Sequence, residues 1–343
     1  MKKLNSVENI NEKNIVILRM DLDLPMENGQ ILDNSRLMKS IPTIKLLLER
    51  KNKIVIVGHL GRPKEDDKSL TLKPIYMELI GILEKDCGGD CVRNVFVDDI
   101  KDEEKVKKAV SENEIIFGEN LRFYKEEENG DTALFSILKK FASIYVDDAF
   151  AVAHRAAASI VLHREIKTLY GLSFVKEVEK INQILERKEK LVIVLGGAKE
   201  DKLKNVDELA KMADYVLVGG KLPKLINNEE LIINNKNILV AGLREDGFDL
   251  SDEDIKIFKE KIEEAKTIVW AGAMGFYENE KARKGTEEIA KSIANSNAYK
   301  IIAGGDTGAS IVNLGLKDKI DFVCSGGGVM LEMLVKKDLP AWN

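Results

Sequence analysis

Short apolar runs, four to six residues long, recur along this chain and are separated by longer stretches that mix charge with apolar residues at helical spacing. That alternation is the signature of βα units around a parallel sheet, because strands buried on both faces read as continuous apolar runs. In the first half the candidate strands are Ile15–Met20, Lys53–Val57, Glu114–Phe117 and Ser143–Val146. In the second half they are Lys190–Leu195, Tyr215–Val218, Thr267–Trp270, Lys300–Ala303 and Asp321–Cys324. Between the halves, SFVKEVEKINQILERK (Ser173–Lys188) places Phe174, Val178, Ile181 and Leu185 on one helical face. A chain of 343 residues is long for one doubly wound core. The pattern therefore predicts two α/β domains with a joining helix over 171–188. Asn227–Asn237 reads as an irregular connection.

Ligands of open parallel sheets bind beyond the carboxyl ends of the strands. In the first half those positions are basic or polar: Asp21, Asp23 and Arg36 after the first strand, His59 and Arg62 after the second, Arg122 after the third, His154 and Arg155 after the fourth. Any one of these arginines alone is an ordinary solvated side chain. Their recurrence at strand after strand points to an anion pocket, since the planar guanidinium pairs bidentately with carboxylate and phosphate.

In the second half the equivalent positions are glycine turns: Gly196-Gly197, Gly219-Gly220, Gly272 to Gly275, Gly304-Gly305-Asp306-Thr307 and Gly326-Gly327-Gly328. A single glycine pair is usually tight strand-to-helix packing. Repeated along one rim, such turns suit a phosphate-rich ligand approached by backbone N–H groups and helix N-termini. Lys199 and Lys202 add positive charge. Asp306 is the carboxylate best placed to hold Mg²⁺ with nucleotide phosphates, and it is equally suited to start a helix beside Thr307. No G-x-x-x-x-G-K-[ST] occurs, nor the HRD and DFG signatures of protein kinases.

With 58 acidic and 53 basic residues the formal charge is −5, which argues against nucleic acid or an anionic membrane as partner. No run approaches the roughly 18 apolar residues of a membrane span, and MKKLNSVENINEKN has no apolar stretch behind its lysines. Cys87, Cys91 and Cys324 form no even disulfide framework, and the first two lack a matching pair for zinc. A cytoplasmic monomer acting on small molecules is expected.

The segments RMDLDLP, GHLGRP, GENLRF, DDAFAVAHR, LGGAK, VWAGAMGFYE, KGT, GGDT and SGGG, in this order along nearly the whole chain, resemble phosphoglycerate kinases. The resemblance implies two Rossmann-like doubly wound domains joined by a helix. It places a 3-phosphoglycerate domain at 1–170, a nucleotide domain at 189–328 and a tail, 329–343, returning to the first domain. It implies reversible phosphoryl transfer between ATP or ADP and the carboxylate of 3-phosphoglycerate, with Mg²⁺. By position, Asp21, Asp23, Arg36, His59, Arg62, Arg122 and Arg155 resemble the acid site, and Lys199, Lys202, Glu278 and Asp306 the nucleotide side, with Arg36 and Lys199 catalytic. Such transfer needs alignment and charge neutralisation, with a closing motion to exclude water.

The chain departs from the family pattern at several points. Asp23 stands where Asn is usual, Ala157 where His is usual, and LGGAKEDK is one residue short between its lysines. WAGAMG lacks the usual Asn and Pro, and Gly219–Asp249 is abbreviated. Those departures keep open a weakly catalytic sensor of phosphometabolites and a kinase for another small phosphoacid. A nicotinamide-dependent dehydrogenase fits the fold class but lacks G-x-G-x-x-G after a strand.

Overall fold

The computed structural model describes residues 3–64, 67–89, 92–187, 189–226 and 235–343, without the side chains of Cys87 and Asp306. Cys91 and most of the expected connection at 227–237 lie outside the described residues. Contacts divide the chain into two units: Met1–Val178 with Asp338–Asn343, and Glu179–Lys337.

The first unit holds a sheet of six parallel strands. These are β1 (Ile15–Met20), β2 (Lys53–Val57), β3 (Asn94–Val97), β4 (Ile115–Gly118), β5 (Ile144–Asp148) and β6 (Lys167–Tyr170), ordered β3-β4-β2-β1-β5-β6. Strand alternation sends Val16, Leu18, Met20, Ile54 and Ile56 into one core and Ile17, Val55, Val57 and Tyr145 into a second on the opposite face. Helices α1 (Ser35–Glu49) and α2 (Lys73–Cys87) cover the first face through Leu37, Ile44, Ile75 and Leu79, and α3 (Glu103–Glu112) covers the second through Val106 and Val110. The joining helix α4 spans Leu172–Glu186, with Phe174, Val178, Ile181 and Ile184 buried; Ile184 is buried where Leu185 was expected, and Leu185 is only half-buried.

The second unit repeats the plan with β7 (Leu191–Leu195), β8 (Tyr215–Val218), β9 (Ile238–Val240), β10 (Thr267–Ala271), β11 (Tyr299–Ala303) and β12 (Phe322–Cys324), ordered β9-β8-β7-β10-β11-β12, all parallel. Its described helices of seven or more residues are α5 (Val206–Met212), α6 (Asp252–Glu264), α7 (Lys284–Asn295), α8 (Gly305–Asn313) and α9 (Gly327–Lys336). Of the segment 329–343, the helical part belongs to this unit and Asp338–Asn343 to the first. There Trp342 packs edge-on to Phe174, and Tyr170 Oη donates to the Ala341 carbonyl.

Strands β3, β6 and β9, which the apolar runs do not reveal, all lie at sheet edges. Their residues are largely half-buried or exposed, so they need not be uniformly apolar. Among the described residues no helix is long and apolar enough to cross a membrane, and no cluster of three metal-binding side chains occurs.

Candidate active site

In the first unit the loops after β1, β2, β4 and β5 converge. A cavity of about 450 Å³ is lined by Arg19, His59, Arg122, Arg155, Glu127 and Ala157, among others. Arg36, on the first turn of α1, pairs with Asp21 at 3.3 Å. Burial pushes the Asp21 carboxyl above its usual range, with Arg36 and Arg19 opposing the rise. Asp23 accepts the Gly61 N–H at 2.8 Å. Arg122 donates to the Gly61 carbonyl, and its Nε lies 3.8 Å from Glu128. Arg155 and Arg62 are exposed, and Arg62 does not line the cavity.

His59 registers the convergence. It is 2 % exposed, and burial holds its ring well below the ordinary imidazole value, with Arg19, Arg122, Arg155 and Arg36 each pushing the same way. Four guanidiniums acting on one buried ring form a cluster of like charge whose mutual repulsion an anionic ligand relieves.

Arg19 escaped the sequence reading. It is buried within β1, donating Nε–H to Ser159 Oγ at 3.0 Å, Nη2–H to His59 Nδ1 at 2.8 Å and Nη1–H to the Met20 carbonyl. Its signal was present: an arginine inside an apolar strand run is tolerable only if every donor finds a partner. Its side-chain partners, His59 and Ser159, lie 40 and 140 residues away, and Ser159 is held in turn by Glu127, so no local motif marks the set.

In the second unit the turns after β7, β8 and β10 are stitched together. Gly196 N donates to the Ala271 carbonyl at 3.0 Å, Gly197 N to Ala273 at 2.7 Å and Gly220 N to Met274 at 3.0 Å. Gly219 N donates to Leu195, and Gly275 N to Thr286 Oγ1. The N–H groups of these glycines are therefore engaged by the protein itself, and the residues serve close approach between turns. Gly272 makes the case: its φ is +104°, and a Cβ there would collide with the Gly196 carbonyl and the Lys202 ammonium. Lys202 spans the same turns, donating to the carbonyls of Gly196 at 2.7 Å and Ala271 at 3.1 Å. Lys199 is exposed at the start of the 3₁₀ turn Glu200–Asn205.

Open donors are offered instead at two helix starts. Helices α8 and α9 have Gly304 and Gly326 at their N-cap positions, and neither has a side-chain cap. The first-turn N–H groups of a helix have no acceptor within it and carry its positive dipole end. A Cβ on Gly328 would meet nothing within 4 Å among the described residues, so that surface is open to them. Gly305 and Asp306 open α8, and Gly327 and Gly328 open α9; the Asp306 side chain lies outside the described residues. Thr307 is buried, its Oγ1 accepting the Gly272 N–H at 2.8 Å. Glu278 is exposed in the turn after β10, beside the half-exposed Phe276–Phe248 pair at 6.1 Å between centroids. Asp249, also missed, is buried and accepts the Gly285 N–H at the start of α7; burial pushes its carboxyl up.

The phosphoglycerate kinase family model matches residues 5–234 and 226–337. A phosphoglycerate kinase of Dictyoglomus turgidum is 34% identical over 95% of this chain and 93% of its own length. One of Pseudothermotoga lettingae is 33% identical over 99% and 98%. Both alignments run longer than the 343 residues here, so these relatives carry segments the chain lacks. Among solved structures, phosphoglycerate kinase from Pyrococcus horikoshii superposes with a TM-score of 0.80 at 28% identity, covering 99% of this chain and 98% of that one. The Coxiella burnetii enzyme gives 0.78 at 30%, with the same coverage.

Proposed function

The chain belongs to the phosphoglycerate kinase family, phosphotransferases with a carboxyl acceptor that use ATP and ADP as substrates, and from that premise we propose how its residues divide the reaction. The observation that carries the reading is the convergence of Arg19, Arg36, Arg122 and Arg155 on His59 beside a 450 Å³ cavity. The first unit holds 3-phosphoglycerate: Arg122, Arg155 and Arg62 take the phosphate, His59 and Asp21 orient the glycerate, and Asp23 holds the Gly61 turn beside it. Arg36, released from Asp21 to the migrating phosphoryl group, neutralises its oxygens. The acceptor is already a carboxylate and needs no general base.

The second unit holds the nucleotide. Gly305, Gly327 and Gly328 present helix-start amides to its phosphates, Gly304, whose N–H is held by the Cys324 carbonyl, sets the turn before α8, and Lys199 adds mobile charge. Gly196, Gly197, Gly219, Gly275 and Gly326, with Lys202 and Thr307, set the turns that shape this surface, and Glu278 faces the ribose. Among the described residues, the atom nearest a Cβ built at Gly304 is Thr307 Oγ1 at 3.9 Å, which leaves room for a phosphate carrying a divalent ion. Asp306 would hold Mg²⁺ together with those phosphates, the ion supplying charge neutralisation at the β- and γ-oxygens.

Transfer requires the two ligands to meet, which a closing motion would provide. A monomer working in the cytoplasm, with 1–170 and 189–328 as the two binding domains and 329–343 as the returning tail, completes the proposal. A coupled assay with Mg-ATP and 3-phosphoglycerate tests it. Turnover that stops on chelation and resumes with Mg²⁺ is expected; saturable binding of both ligands without turnover would mark a sensor instead.

A further inference from the structure

A buried chain of hydrogen bonds links the far side of the cavity to its floor, with the Arg19 guanidinium donating in both directions. Glu127, 3 % exposed, accepts the Ser159 N–H at 2.9 Å and the Ser159 hydroxyl at 2.6 Å. With its proton committed to Glu127, Ser159 Oγ has only lone pairs to offer Arg19, whose Nε donates at 3.0 Å. The same guanidinium donates Nη2–H to His59 Nδ1 at 2.8 Å. A guanidinium cannot accept, so Nδ1 must be the unprotonated nitrogen of the ring. The ring proton then sits on Nε2, the atom 3.8 Å from Asp23 Oδ2.

We propose that Glu127 and Ser159 are positioning residues which, through Arg19, lock His59 as a neutral imidazole with its proton on Nε2, making it a fixed hydrogen-bond donor to the acidic substrate. The inference rests on the functional reading above, deepening its account of one residue. A neutral donor has a physical advantage here. Arg19, Arg36, Arg122 and Arg155 already face the ring from β1, α1 and the loops after β4 and β5, and an imidazolium would add a further charge to that cluster. Asp23, on the loop after β1, is the acidic group facing it. Burial and the four arginines act in the same sense, disfavouring the imidazolium and keeping the ring neutral. Ser159 and Glu127 thus act on the substrate through Arg19 and His59, three and four hydrogen bonds away.

Long-range proton–nitrogen NMR of the imidazole rings in the full-length protein tests this directly, because the chain has only three histidines and His59→Gln identifies the signal. The expected result is one neutral form of His59, protonated on Nε2, from pH 5.5 to 8. In Ser159→Ala the guanidinium loses one acceptor and is free to turn, so mixed tautomers or a titration within that range should appear. KM for 3-phosphoglycerate should then rise about tenfold, with kcat within about twofold, the loss of one charge-assisted hydrogen bond. Glu127→Gln, which keeps the side-chain shape but lets the amide donate to Ser159, should act in the same direction. An imidazolium, or a proton on Nδ1, in the unmodified protein overturns the proposal. So does an unchanged His59 signal in both folded variants. Neither spectroscopic outcome depends on whether 3-phosphoglycerate is the substrate, so failure here is separable from failure of the functional reading.

Discussion

Single carboxylates in this chain have opposite uses. Asp23 sits beside the cavity with a half-exposed side chain, where it accepts the Gly61 amide. Asparagine would keep that bond and remove a negative charge facing an anionic ligand. Asp23→Asn should therefore lower KM for 3-phosphoglycerate about three- to tenfold with kcat nearly unchanged, about 1 kcal/mol, the size of one like-charge contact screened by water as a half-exposed carboxylate is. A raised KM would mean that Asp23 serves the substrate through a contact of its own. Asp147 and Asp148, at the end of β5, are buried, and burial pushes their carboxyls up to about 7 and about 6. An unfolded aspartate titrates near 3.8, so the folded chain binds extra protons between about pH 4 and 7, and the stability they contribute is lost as pH rises through that window. Asp147→Asn retains an acceptor for the Ala149 N–H. The variant should gain about 1–2 kcal/mol relative to the unmodified protein between pH 5.5 and 8, read from denaturant unfolding at both pH values. A pH-independent difference would contradict the assignment.

At the scale of elements, the glycine turns separate into two kinds that a sequence does not distinguish. Gly272 is structural: alanine there forces an unfavourable φ and a collision with the neighbouring turn. It should cost about 3 kcal/mol or more of stability, seen as a lower denaturation midpoint. Gly328 lies in the first turn of α9 with open space around it, so alanine should leave the fold intact or slightly stabilised, by up to about 1 kcal/mol. Its methyl group would obstruct approach to the helix-start amides, so KM for ATP should rise. Equal KM values for the two proteins would remove α9 from the nucleotide site. Periodicity alone was enough for the central strands, because burial on both faces forces continuous apolar runs such as Leu191–Leu195. It could not reveal β3, β6 or β9, where an edge relaxes that demand. Nor could it reveal Asp249, whose partner Gly285 is distant in sequence and whose role is to start a helix. The arginines of the loops were legible because each follows an apolar run. Arg19 was hidden inside one.

For the whole molecule, one sheet plan is used twice, and the two rims carry different chemistry: charged side chains in the first unit, turns and helix starts in the second. Phosphoryl transfer needs both, because positive charge must surround a group in flight and neither rim alone supplies it. Arg36 is held by Asp21 and Lys199 stands exposed, so each can be removed without opening a core. The direct test is kcat of Arg36→Ala and Lys199→Ala in the coupled assay, with folding verified by unfolding midpoints. Each variant should stay folded and lose on the order of a thousandfold or more in kcat, while binding of the ligand held by the other unit is retained. A folded variant of either kind that turns over within about tenfold of the unmodified protein would contradict the claim that these two cations neutralise the transferring group.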